Sequence, residues 1–151
     1  MSGLDQFALT ETATLELSNP QDGRPLLIDD PTGAKDEDGE IKQIPVTISL
    51  IRSDGKQATE HTHQLRNRRL KTVGRKGKIK LTSSDLEEDS ISLLVFCTRG
   101  WSGIVIDGDD LVCNAGNSRR LYADSRFTWI RSQVDEFIGD EANFLGNSLT
   151  S

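Results

Sequence analysis

A single apolar stripe near the C-terminal end constrains this chain more than any other feature. Phe127, Ile130, Val134, Phe137 and Ile138 fall at i, i+3, i+7, i+10 and i+11, which is one face of an α-helix. Ser125 offers an N-cap before the stripe. Phe144 and Leu145 carry its apolar character past Gly139. A helix with one apolar side has to cover it, either with the rest of its own chain or with a partner laid along it. Aromatic residues are scarce here, yet seven of the eight lie beyond residue 95, and such concentration suits an anchor surface. Trp101, Phe127, Trp129, Ile130, Val134, Phe137 and Phe144 are therefore the candidate partner-binding residues. Some of them must also build the core, and the sequence does not sort the two groups.

The remainder reads as an α+β chain. Ala13 to Leu17 alternates in the strand manner and stops at Asn19-Pro20. Leu26 to Ile28 form a second short strand. Asp29 to Glu40 is a polar, acidic loop. Ile44 to Ile51 is the clearest strand, with Val46, Ile48 and Leu50 on one face. Together these predict a small N-terminal antiparallel sheet. Ser53 or Asp54 caps a helix over about Lys56 to Thr72, whose apolar stripe is thin: Ala58, Leu65 and Leu70. Gly74 and Gly77 then break the pattern, and Val73 to Leu81 is a basic loop, or a strand at Lys78 to Leu81. Ser84 and Glu87 are spaced as a capping box for a helix running to about Thr98, which buries Leu86, Leu93, Leu94, Phe96 and Cys97 and is closed by Arg99-Gly100. Asp107-Gly108 turns a short hairpin, and Asn114 or Asn117 caps a short helix holding Leu121 and Tyr122. The expected division is a β-rich part over 1–60, a basic hinge helix over 61–80, a helical part over 81–147 and a tail over 148–151.

Charge is unevenly placed. Residues 61–80 hold eight cations and no acid (Arg66, Arg68, Arg69, Lys71, Arg75, Lys76, Lys78 and Lys80), while each flank carries a net charge of −7. Such a belt can grip phosphates. It lacks the interleaved aromatics that stack on bases, and the chain as a whole is acidic at −6, so nucleic acid is not the expected partner. The alternative is a solvated helix face that pairs with acidic flanks or with an acidic partner.

Other chemistry is sparse. His61 and His63 are two apart, which does not converge on a metal from a helix, and they read as surface residues. The acidic fragments at 36–40 and 107–110 lack the sixth-position glycine and distal glutamate of a calcium loop. No nucleophile elbow, phosphate loop, dinucleotide fingerprint or zinc-protease motif occurs, so the chain reads as non-catalytic, with no cofactor. Cys97 and Cys113 fit reduced, packed thiols of a cytoplasmic protein. No apolar run approaches the roughly 20 residues of a membrane span, and the first residues do not form a signal peptide.

A pattern of spaced residues also carries a resemblance. It comprises Trp101-Ser102-Gly103-Ile104, Asp107-Gly108, Asn117 to Tyr122 (NSRRLY), Trp129 to Val134 (WIRSQV) and Asn143-Phe144-Leu145, preceded by ATLELSNP, PVTISLIRSDG and NRRLK. Over about residues 12 to 147 the chain resembles tail assembly chaperones of long-tailed bacteriophages. The resemblance implies a non-catalytic protein of the infected bacterial cytoplasm that coats the helical tape measure protein, helps recruit tail tube subunits and leaves before the virion is complete. It leaves homo-oligomerisation open. Two competing readings are a structural tail or neck protein of the virion and a small nucleic-acid-binding regulator that uses the basic belt.

Overall fold

The computed structural model describes residues 3–76 and 82–145, with Gln6 and residues 72–76 as backbone alone. Strands β1 (Thr12–Glu16), β2 (Leu27–Asp29), β3 (Gln43–Pro45) and β4 (Thr47–Ile51) come first, followed by helix α1 (Lys56–Lys76). Helix α2 (Ser83–Cys97) runs directly into β5 (Thr98–Ser102), and β6 (Val105–Ile106) and β7 (Asp109–Asp110) form a hairpin before α3 (Ala115–Ala123) and α4 (Thr128–Ile138). The fold is α+β. Its main sheet is antiparallel with order β1-β4-β5, and two small ladders, β2-β3 and β6-β7, stand beside it.

The expected strand over Ile44 to Ile51 is two strands. Proline has no N–H to donate, so a continuous central strand is interrupted at Pro45. Residues up to Pro45 pair with β2, and those after Val46 pair with β1. Val46 joins the two, donating its N–H to Leu26 O and accepting from Leu17 N–H. The alternation read from sequence then decides the core: Val46, Ile48 and Leu50 are all buried. They meet Ile91, Leu94 and Cys97 of α2, Leu121 and Tyr122 of α3, and Ile130, Val134 and Ile138 of α4. Ala58 is the buried contribution of α1.

The expected N-terminal sheet takes its third strand from the C-terminal half. Arg99-Gly100 was the expected helix stop, but Gly100 does not adopt the left-handed backbone that a glycine cap needs. Instead α2 ends at Cys97 and Thr98 starts β5. In β5, Gly100 faces Ser49 and Thr98 faces Leu50, so Arg99 is an extra residue and the strand bulges there. At the other end of α2 the capping box is Thr82 with Asp85, not Ser84 with Glu87. Thr82 Oγ1 accepts from Asp85 N–H at 3.1 Å, and Asp85 Oδ2 accepts from Thr82 N–H at 3.0 Å. Leu86, in the first turn of α2, is 57% exposed where burial was expected, and the buried positions of the helix begin at Ile91.

The β6-β7 turn is Asp107-Gly108, with φ of 52° and 84°. Positive φ at both central residues is the hairpin geometry that matches strand twist. Asn114 caps α3, accepting from Asn117 N–H at 2.8 Å. A 3-10 turn over Ser125–Phe127 precedes α4, and Asp124 rather than Ser125 caps it. Arg69 of α1 forms a two-pronged pair with Asp89 of α2, both N–H···O distances being 2.7 Å, and also meets Asp85 at 3.3 Å. With a further bond to Asp85 O at 3.1 Å, four polar contacts on one side chain tie α1, with its thin apolar stripe, to α2.

Candidate partner-binding surfaces

Most of the C-terminal stripe faces inward. Ile130, Val134 and Phe144 are buried, at 5%, 0% and 0% exposure, so they build the core and offer nothing to a partner. Trp101, Phe127, Trp129 and Phe137 are half-buried and pack against the same core. Phe137 and Phe144 meet as a tilted ring pair, centroids 5.5 Å apart. The aromatics beyond residue 95 thus pack on the core, and Trp101, Phe127, Trp129 and Phe137 keep part of their surface exposed.

The residues that carry the resemblance close the fold. Trp101 donates its indole N–H to Leu111 O at 2.7 Å, tying β5 to the hairpin. Gly103 has φ of 82°, and a Cβ there would come within 3.3 Å of Ile28 and 3.4 Å of Pro45 O. Asn117 donates to Val112 O at 2.8 Å. Gln133 reaches from α4 to the end of β1 and clamps Ser18, accepting from its N–H at 2.8 Å and donating to its C=O at 2.9 Å. Asn143 donates to Phe137 O at 3.1 Å, and Leu145 bridges to Leu9. Each is a backbone or side-chain constraint that a similar sequence needs for the same architecture.

What remains exposed lies elsewhere. Leu70 of α1 is 50% exposed. Leu70 follows Arg69, and Leu86 follows Asp85, so two exposed leucines flank one ion pair. Arg66, Arg68 and Lys71 are exposed on the same stretch of α1. Of the basic belt, Arg69 is committed to α2. Hydrogen bonding to Asp89 first, and the Asp89 and Asp85 charges after desolvation, hold its pKa above the ordinary arginine value. Arg75 and Lys76 end α1, while Lys78 and Lys80, like the expected loop or strand around them and the tail over 148–151, lie outside the described residues.

A second surface opens at the other end of α1. A groove of about 430 Å³ runs between α1, the last turns of α2, the start of β5 and the first turn of α3. His61 lines it and is not the surface residue expected: its ring stacks on Phe96, centroids 4.3 Å apart at 11°, with Nε2 3.3 Å from Ser92 Oγ. Burial, then the nearby Arg68 charge, lowers its pKa, so the imidazole is neutral at pH 7. Cys113 also lines the groove, and burial raises its thiol pKa. Cys97 is fully buried and pushed up to about 12 by desolvation. A protonated thiol is a weak nucleophile. Among the described residues, no group of three or more His, Cys, Asp or Glu is placed to hold a metal ion, and no helix is long and apolar enough to cross a membrane.

Comparison with family models, curated proteins and solved structures returned no match.

Proposed function

We propose that this chain is a non-catalytic tail assembly chaperone that binds a tape measure protein and helps recruit tail tube subunits. One observation carries the reading beyond the resemblance. The far end of the α1-α2 pair presents the exposed Leu70 and Leu86, with the exposed Arg66 and Lys71 on the same turns of α1 as Leu70. An apolar pair edged by cations suits an amphipathic helix whose polar side is acidic: the leucines cover its apolar side, and the cations steer and orient it. A long helical protein with uncovered apolar faces aggregates, and a cover of modest size keeps it soluble.

The same reading accounts for the polar character of the chain. A cover that later leaves needs moderate affinity, and a small patch with few apolar residues provides it better than a large aromatic one. The acidic flanks, at −7 each, keep the free chaperone soluble. Quantitative mass spectrometry of purified virions tests the reading against a structural tail or neck protein. Near absence of the chain from virions supports the chaperone. A fixed number of copies per virion contradicts it.

A further inference from the structure

We propose that the groove between α1, β5 and α3 binds an acidic peptide segment, holding two of its carboxylates with Arg99 and Arg119. This surface is distinct from the Leu70–Leu86 patch, and the inference stands independently of the tail assembly reading.

The charge of the groove is the first observation. It is lined by two arginines and no carboxylate, in a chain whose net charge is −6. Four other arginines are matched with acids: Arg52 with Asp54, Arg69 with Asp85 and Asp89, Arg126 with Asp124 and Asp107, and Arg131 with Glu87. Among the described residues neither Arg99 nor Arg119 has a carboxylate partner. Arg99 is nonetheless held in place. It sits at the β5 bulge, lies over the Phe96 ring at 5.0 Å and spends one N–H on Gln57 Oε1 at 3.0 Å. A guanidinium has five N–H groups in a rigid fork, so four remain for a ligand. A bulge that aims one side chain out of register is a recurrent device beside binding sites. Arg119 stands on α3, whose positive N-terminal end also opens into the groove at Asn114.

The open shape selects the ligand. Small-molecule sites enclose most of their ligand, whereas this is a trough whose two cations are both exposed to water. A single exposed ion pair contributes little. Two carboxylates on one chain, reaching cations on two different elements, reinforce each other because the second contact forms at high effective concentration. Ser92 and Asn114 on the walls can exchange hydrogen bonds with a peptide backbone.

The test uses the full chain and an N-acetylated hexapeptide alternating Glu and Gly, with a Gln-for-Glu control and inorganic phosphate as a small-anion probe. Nitrogen-detected NMR follows the arginine Nε signals, and anisotropy of a labelled peptide gives the affinity. The expected result is movement of the Arg99 and Arg119 signals by the Glu peptide and not by the Gln peptide. Arg119→Gln should weaken binding about two- to fivefold, by the strength of exposed pairs, and Arg119→Lys should weaken it less. Arg119 is exposed on α3, so its variants keep the fold even if Arg99→Gln does not. Equal binding of the Gln peptide, unmoved arginine signals, or tighter binding of phosphate than of the Glu peptide overturns the proposal, the last in favour of a small-anion site.

Discussion

The hydroxyl pair Thr98–Tyr122 makes a sharp prediction because its two members are not equivalent. Tyr122 is fully buried, and its oxygen lies 2.6 Å from Thr98 Oγ1. Thr98 Oγ1 also donates to Leu94 O at 2.7 Å. A threonine hydroxyl has one hydrogen, so Tyr122 must be the donor in the pair. Tyr122→Phe therefore removes one hydrogen bond and strands nothing, at a cost of about 0.5–1.5 kcal/mol. Thr98→Val is nearly isosteric and suits a strand, but it deletes the acceptor and leaves a buried hydroxyl unpaired, at a cost of about 1–3 kcal/mol. Leu94 O keeps the Thr98 backbone N–H, so no second group is stranded. In the double variant no polar group is left, and its loss should be well below the sum of the single losses. Urea unfolding at constant m-value measures all three. A Tyr122→Phe loss as large as that of Thr98→Val, or a strictly additive double variant, would refute this reasoning.

Three further predictions follow from the same contacts. Gln133→Ala strands the N–H and C=O of Ser18 and should cost about 1–3 kcal/mol, read as a lowered urea midpoint. Gly108→Val puts a β-branched residue at a φ of 84°, and should cost at least about 1–2 kcal/mol while leaving the helical circular dichroism unchanged. His61 has its pKa lowered below 6.5 by burial, so the unfolded chain binds more protons just below that pH. Stability is then fully present above pH 6.5 and declines as pH falls through the window down to the folded pKa. His61→Gln should flatten that segment of a plot of Tm against pH.

Local chemistry in the sequence located several elements because it acts over a few residues. Asp107-Gly108 requires positive φ, Asn114 sits one residue before a helix, and Val46, Ile48 and Leu50 alternate. The fold contains the turn and the alternation, and of Asn114 and Asn117, both suited to a cap, it uses Asn114. The spacing of Ser84 and Glu87 points to a cap that the structure does not use; the capping box is Thr82 with Asp85. Strand β5 was hidden because Arg99-Gly100 resembles a helix stop. Only its pairing with β4, some 50 residues earlier in the chain, makes Thr98–Ser102 a strand. Long-range pairing also explains Arg69, which reads as one cation of a belt until α2 brings Asp85 and Asp89 to it.

The candidate surfaces were less legible than the fold. An amphipathic stripe says that a helix face is covered, and not by what. Here the answer for Ile130 and Val134 is the main sheet and its helices. Leu70 reads as a member of a thin stripe and Leu86 as a buried one, and the structure leaves both exposed, at 50% and 57%. The groove draws on three separated segments, around His61, Ser92 to Arg99 and Cys113 to Arg119, and no spacing in the sequence joins them.

Co-expression with the tape measure protein of the same genome, followed by affinity capture through this chain, tests the central claim most directly. The account predicts a soluble complex that is lost in a Leu70→Asp, Arg66→Glu, Lys71→Glu variant with unchanged Tm. It predicts that Trp129→Ala alters capture only as far as it alters stability, because that ring packs on the core. A tape measure protein that stays insoluble, or a complex indifferent to the α1 substitutions, contradicts it.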